Sequence, residues 1–153
     1  MQKITPFLWF DDQAEEAVNH YVSIFKNSKV LSVHRKDGKV LTVTFELEDQ
    51  RFMALNGGPL FKFTEAISLF VDCETQQEID ELWTKLSAGG AESHCGWLKD
   101  KYGLSWQIIP RALMELMGDP DPKKSQAVMQ AMLKMNKIIV ADLQRAHEGA
   151  TAA

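Results

Sequence analysis

Residues 66–86 read Ala66-Ile67-Ser68-Leu69-Phe70-Val71-Asp72-Cys73-Glu74-Thr75-Gln76-Gln77-Glu78-Ile79-Asp80-Glu81-Leu82-Trp83-Thr84-Lys85-Leu86. The apolar run from Ala66 to Val71 stops at Asp72 and predicts a strand. Thr75 then stands where a helix N-cap accepts from the first unpaired N–H groups, with Glu78 three residues on as its capping-box partner. Ile79, Leu82, Trp83 and Leu86 recur at helical spacing and make one apolar stripe. Gly89-Gly90 closes the helix. The same order of strand, acid and amphipathic helix occurs earlier in the chain. Shifted by 61 positions, Leu8 falls on Leu69, Phe10 on Val71 and Asp11 on Asp72. Val18 falls on Ile79, Tyr21 on Leu82, Val22 on Trp83 and Phe25 on Leu86.

The chain on either side completes two units. Ile4 to Phe10 predicts the first strand. Ala14, Ala17, Val18, Tyr21, Val22 and Phe25 give the first helical stripe, with Asp12 as N-cap, Glu15 as its capping-box partner and Asn27 as the stop. Lys29–Lys36 and Lys39–Glu48 read as strands joined by Asp37-Gly38, a pair suited to a type I′ turn because both positions need positive φ. Asp49-Gln50 reads as a second turn, and Arg51–Asn56 as a fourth strand stopped by Gly57-Gly58-Pro59. In the second half, Ala91–His94, Gly96–Lys99 and Leu104–Pro110 are the strand candidates, with a turn at Tyr102-Gly103.

The reading is thus α+β: two βαβββ units at 3–58 and 65–110, followed by a helical tail at 111–148, all in one domain, 1–148. In the tail, Ala112–Met117 is a short helix ended by Gly118. Asp121-Pro122 pairs an N-cap with proline at the first helical position. Val128, Met129, Met132 and Leu133 form a stripe, and Ile139, Val140 and Leu143 a last short helix. Residues 149–153 are expected to fray.

The 153 residues suffice for one domain with a core; 45% are hydrophobic and 25% charged, an ordinary globular mix. The net charge of −4, with no basic stripe, sets nucleic acid and anionic membranes aside as partners. Cys73 and Cys95 match no zinc spacing and read as reduced thiols. With no signal-peptide pattern and no apolar run long enough to span a bilayer, the expectation is a cytoplasmic protein.

Three stretches carry a family resemblance. They are Thr5-Pro6-Phe7-Leu8-Trp9-Phe10 leading into Ala14-Glu15-Glu16-Ala17; Phe52-Met53-Ala54-Leu55-Asn56-Gly57-Gly58; and Gly96-Trp97-Leu98-Lys99-Asp100 through Gly103-Leu104-Ser105-Trp106-Gln107-Ile108-Ile109-Pro110. Over roughly residues 3 to 148 the chain resembles the PhnB-like branch of the vicinal oxygen chelate superfamily, which includes glyoxalase I, extradiol dioxygenases and bleomycin-resistance proteins. The resemblance implies the glyoxalase/bleomycin-resistance fold, in which paired βαβββ units form a cupped mixed sheet whose concave face holds the site. Members are often labelled 3-demethylubiquinone 3-methyltransferase-like. The chain has no glycine-rich strand-to-helix turn to hold S-adenosylmethionine, since Gly57-Gly58 enters a proline.

Strand alternation sorts residues onto the two faces of that sheet. Ile4, Pro6, Leu8 and Phe10, then Met53 and Leu55, then Ile67, Leu69 and Val71, then Leu104, Trp106 and Ile108 are expected to face the helices. The cup is expected to present Thr5, Phe7 and Trp9; Phe52, Ala54 and Asn56; Ala66, Ser68 and Phe70; and Ser105, Gln107 and Ile109. Carried over one position at a time, the superfamily's metal ligands fall on Thr5, on Ala54 or Asn56, on Ala66 and on Gln107. Alanine has no lone pair, and neutral Thr and Gln are weak ligands beside imidazole or carboxylate. No cofactor is therefore expected, and a divalent metal is disfavoured though left open. His20, His34 and His147 read as surface residues, His94-Cys95 as a pair near the cup, and Glu65 as a carboxylate on its rim.

The expected function is binding of a small organic molecule in the cup. Thr5, Phe7, Trp9, Phe52, Asn56, Ser68, Phe70, Trp97 and Gln107 are the ligand-binding candidates, aromatic walls with a few polar groups. The alternative is a superfamily enzyme of lyase, isomerase or dioxygenase type with a displaced or atypical site, holding a displaced metal or none, and using Gln107, Asn56 and His94 or Cys95. A third reading is a regulatory module with a vestigial cup. A homodimer is expected, partly from the resemblance and partly because the tail's Val128, Met129, Met132 and Leu133 stripe, with Met117 and Met135 nearby, needs cover.

Overall fold

The computed structural model describes residues 2–150; of the stretch 149–153 expected to fray, residues 151–153 lie outside the described residues, while Gly149 closes a helix with Ala150 as its C-cap. The chain divides into two compact units at Phe63/Thr64. Each unit begins with the element order β-α-β-β-β, and unit 2 continues into a helical tail.

Unit 1 comprises β1 (Phe7–Phe10), α1 (Ala14–Ile24), β2 (Lys29–Lys36), β3 (Lys39–Leu47) and β4 (Gln50–Asn56). Its sheet runs β1-β4-β3-β2, with β1 parallel to β4 and the other pairs antiparallel. Asp37 (φ 54°) and Gly38 (φ 77°) form the expected two-residue hairpin turn. The next turn lies one residue earlier than expected, at Glu48 (φ 48°) and Asp49 (φ 66°), and it pairs Leu47 with Gln50. Neither position is glycine, so the sequence carries no strong turn signal there.

That turn sets the register of β4 and reverses the expected sorting of its faces. Phe45 pairs with Phe52 and Leu8 with Ala54. Leu8, Phe45, Phe52 and Ala54 are all buried, together with Ala14, Ala17, Val18 and Tyr21 of α1. Phe52 and Ala54 therefore lie in the core and Met53 and Leu55 on the other face, the opposite of the expectation. A one-residue slip exchanges the faces of a strand, and Phe52-Met53-Ala54-Leu55, apolar throughout, gives no alternation to prevent the misreading. Ile4 precedes β1 and is exposed rather than in the core.

Unit 2 repeats the design with β5 (Ser68–Cys73), α2 (Gln76–Ser87), β6 (Ala91–Glu92), β7 (Trp97–Lys99) and β8 (Ser105–Pro110). Its sheet runs β5-β8-β7-β6 with the same parallel and antiparallel pairs. The α2 stripe of Ile79, Leu82, Trp83 and Leu86 is buried as expected, along with Cys73, Leu98, Leu104, Trp106 and Ile108. Thr75 Oγ1 accepts from the Glu78 N–H, and Glu78 Oε2 accepts from the Glu74 N–H. Ile67 precedes β5 and is exposed, contrary to its expected core place.

The tail adds α3 (Arg111–Met117), α4 (Pro122–Leu133) and α5 (Val140–Gly149). Asp121 caps α4 by accepting from the Lys123 N–H, with Pro122 in its first turn. The tail folds back on unit 2: Leu113, Val128, Ile138 and Leu143 enclose Ile109 in a second core, with Met117, Met132 and Met135 packed against it. The α4 stripe is thus split. Val128 and Met132 are covered by the chain itself, whereas Met129 and Leu133 remain exposed. This corrects the premise that the whole stripe needs an outside partner. Among the described residues, no helix is long and apolar enough to cross a membrane.

Candidate functional site

The open face of unit 2 is a grid of three rows, because strand partners in register share a face. Ser68, Ser105 and Lys99 form the first row, and Phe70, Gln107 and Trp97 the second. Asp72 and Ile109 form the third. In the middle row Phe70 is 52% exposed, while Gln107 and Trp97 are half-buried. Gln107 Nε2 donates to Ser68 Oγ at 2.9 Å, which turns the amide along the strand direction toward the first row.

Each end of the grid is closed by an ion pair. Lys99 pairs with Glu65 beside the first row. The Lys99 hydrogen bond, and then its charge, hold the Glu65 carboxyl below the usual range. Arg111 pairs with Asp72 at 3.0 Å beside the third row and reaches Glu74 at 3.5 Å. Its guanidinium is pushed up chiefly by the Asp72 hydrogen bond.

The equivalent face of unit 1 is arranged differently. Trp9 is the repeat counterpart of Phe70, and its row continues through Leu55 to Thr42. Its indole Nε1 donates to the Gly58 carbonyl at 3.0 Å. The ring lies so close over Gly57 that a Cβ there would come within 2.3 Å of it. Phe61 closes on Trp9 edge-to-face, ring centroids 4.9 Å apart. Glycine at 57 thus serves the approach of a tryptophan, and Trp9 is engaged with its own chain.

The remaining expected site residues are dispersed. Asn56 turns toward α1: its Oδ1 accepts from the Ala14 N–H at 2.8 Å, and its Nδ2 donates to the Val40 carbonyl at 3.1 Å. This also corrects the expected α1 cap, since Gln13 is the N-cap and makes no side-chain bond, leaving Asp12 outside. Thr5 precedes β1, Phe7 is exposed on the same face as Trp9, and Ala66 lies in an exposed turn. His94 Nδ1 lies 2.9 Å from Asn136 Oδ1 of the tail. Cys73 is buried, and burial, then Glu78 and Asp72, push its thiol up to about 12, which makes it inert as a nucleophile.

The four positions implied as metal ligands do not form a donor set. Ala54 is in the core, Asn56 is engaged at both ends, and Ala66 and Thr5 offer no strong donor. Among the described residues there is no group of three or more His, Cys, Asp or Glu that could hold a metal ion.

A buried acid beside the grid was not foreseen. Asp100 Oδ1 accepts from the N–H groups of Tyr102 and Leu104, and its Oδ2 accepts from Trp106 Nε1 at 2.9 Å. It fixes the β7–β8 turn, hence the register of Trp97 against Gln107. The sequence signal available was an acid three residues before a glycine turn, Asp100-Lys101-Tyr102-Gly103.

The family model for 3-demethylubiquinone-9 3-methyltransferase matches residues 2–109. A Bacillus cereus structure described as a putative 3-demethylubiquinone-9 3-methyltransferase, PhnB protein, is 42% identical, with a TM-score of 0.68; the match covers 71% of this chain and 99% of that one. A Pseudomonas aeruginosa protein is 18% identical with a TM-score of 0.59, covering 72% of this chain and 98% of that one, and shares the fold. A fosfomycin resistance protein from Listeria monocytogenes, solved with Mn(II) and sulfate, is 14% identical with a TM-score of 0.51, covering 69% of this chain and 88% of that one. No curated protein matches the chain.

Proposed function

The chain belongs to the PhnB-like 3-demethylubiquinone-9 3-methyltransferase family of the vicinal oxygen chelate superfamily, and from that membership we propose that it binds a small planar organic molecule on the open face of unit 2, without a metal ion. The observation that carries this reading is the row Phe70–Gln107–Trp97. Two strand spacings separate Phe70 from Trp97, about 9–10 Å between backbones. A planar ring clasped between two aromatic side chains needs roughly 7 Å between their planes, twice an ordinary carbon contact distance. The spacing therefore suits one ring standing between Phe70 and Trp97, with the Gln107 amide as its polar floor. Gln107 Oε1 has no protein partner among the described residues, so it is available to accept from the ligand's edge.

Methyl transfer lacks support in this chain. The two strand-to-helix turns, Asp11-Asp12-Gln13 and Glu74-Thr75, contain no glycine to bring backbone against a nucleotide-like cofactor. Metal-assisted chemistry lacks it too, on the donor chemistry of Thr5, Ala54, Asn56, Ala66 and Gln107.

Benzamide is a suitable probe, since its primary amide can pair reciprocally with the Gln107 amide. A fragment of its size is expected to bind with Kd on the order of 1 mM. The affinity should be the same with EDTA or with added Mn(II). Gln107→Ala should weaken it roughly three- to tenfold, the range of one neutral hydrogen bond. Binding that requires a divalent ion would favour a metal-dependent enzyme instead.

A further inference from the structure

The family model ends at residue 109, the residue on which the tail's own core is built. The helical tail is thus an addition to the family domain, and its position bears on the grid. Ile109 has the same strand parity as Gln107 and belongs to the open face, yet it is 4% exposed because the tail lies over it. The contact is close. At Gly96 (φ 84°), the residue before Trp97, a Cβ would come within 2.6 Å of Ile109 Cδ1 and 3.2 Å of Ile138 Cγ1. The tail is also pinned from several directions. Cys95 N–H donates to the Met135 carbonyl and Gly96 N–H to the Asn136 carbonyl, each at 2.8 Å. Gln76 donates to the Ile138 carbonyl at 3.0 Å and accepts from the Val140 N–H at 2.8 Å.

We infer that the tail is an end wall that limits how far a ligand extends along the strands of unit 2, so that the chain takes a single ring and excludes rings broadened toward Ile109. The inference rests on the binding reading given above. Successive rows on one face lie roughly 7 Å apart along the strand. A ring standing on Gln107 therefore has one row of clearance before Ile109 and the tail packed over it, of which Ile138 is a fully buried member. In the other direction it meets the exposed Lys99–Glu65 pair, two long side chains that can swing aside. Both ends carry an exposed ion pair, but only the third row also holds a packed apolar wall, at Ile109.

Ring substitution separates the two directions. With the amide on Gln107, a single meta substituent can point toward Lys99, whereas a 3,5-disubstituted ring must also meet the tail. The measured quantity is Kd for 3-ethylbenzamide and 3,5-diethylbenzamide, each relative to benzamide, on the full chain. In the unsubstituted protein the 3-ethyl ratio should stay within threefold and the 3,5-diethyl ratio should be at least tenfold. Ile138→Ala should bring the 3,5-diethyl ratio within threefold, and Ile138→Val should lower it part of the way. If Ile138→Ala does not fold, as judged by its thermal melt, the milder Val variant decides. Benzamide binding with the same 3,5-diethyl ratio in the unsubstituted protein and the folded variants would overturn the wall alone. Failure of every benzamide to bind would overturn the binding reading and the wall with it.

Discussion

In unit 1 the first N–H of α1 is held by Asn56, a residue 42 positions away on β4. In unit 2 the equivalent helix start is held locally, by Thr75 and Glu78 of the same turn. The open faces diverge in a similar way. Trp9 of unit 1 is tied to Gly57, Gly58 and Phe61, whereas its counterpart Phe70 stands free beside Gln107 and Trp97. The two units share strand order and the β-α-β-β-β element order, and the differences lie in the side chains and loops placed on that frame. A repeated topology fixes where strand partners stand. It leaves open whether an aromatic side chain at a given position closes its own unit or is available to a ligand.

The largest effect that would test this contrast lies in the cores. Trp106 in unit 2 occupies the place that Ala54 holds in unit 1, opposite Leu69 and Leu8 respectively. Unit 1 places its aromatic bulk elsewhere, in the stacked Phe45–Phe52 pair, centroids 5.4 Å apart. Trp106→Ala should cost about 3–5 kcal/mol in urea melts, the usual range for a buried aromatic, and it also deprives buried Asp100 of a donor. A cost below about 1 kcal/mol would mean that unit 2 does not depend on that side chain.

The caps come next. Asn56→Ala leaves the Ala14 N–H and the Val40 carbonyl without their partner, and should cost about 2 kcal/mol. Thr75→Ala removes one exposed cap and should cost about 1 kcal/mol. If the order is reversed, the long-range tie in unit 1 is not what holds its helix.

The smallest effect belongs to the tail, which unit 1 lacks. Asp119 accepts from the Asp121 N–H and lies 2.7 Å from His147 Nε2. The backbone bond, then His147, hold its carboxyl below the usual range. A depressed carboxylate contributes stability that is present above its unfolded pKa, about 3.9, and lost as pH falls through its folded value. Asp119→Asn should therefore be less stable than the unsubstituted protein at pH 7, with the gap closing below about pH 4. A gap that persists unchanged at pH 2 would assign the effect to something other than this ionisation.

The features legible in the sequence were those encoded over short spans. The Asp37-Gly38 hairpin, the Thr75–Glu78 cap, the α2 stripe and Asp121-Pro122 each rest on residues within a few positions of one another, and the repeat was legible because such short-span signals recur in the same order. The parity of β4 was not legible, because Phe52, Met53, Ala54 and Leu55 are all apolar and the turn that sets their register, Glu48–Asp49, contains no glycine. Nor was the role of Asn56, whose two partners lie on other elements. For the site, alternation along β5 and β8 put Ser68, Phe70 and Gln107 on the open face, but the row with Trp97 needed the β7–β8 register that Asp100 fixes. The tail's place over Ile109 needed the fold itself, since its stripe reads the same whether it packs inward or outward.

The central claim is that unit 2 carries the ligand face while Trp9 of unit 1 is engaged by its own chain. It is tested most directly by following the indole and side-chain amide N–H resonances in a 1H–15N spectrum during a benzamide titration. The account predicts progressive shifts of the Trp97 indole and the Gln107 amide, with the Trp9 indole unmoved. Shifts at Trp9 with Trp97 and Gln107 stationary would contradict it.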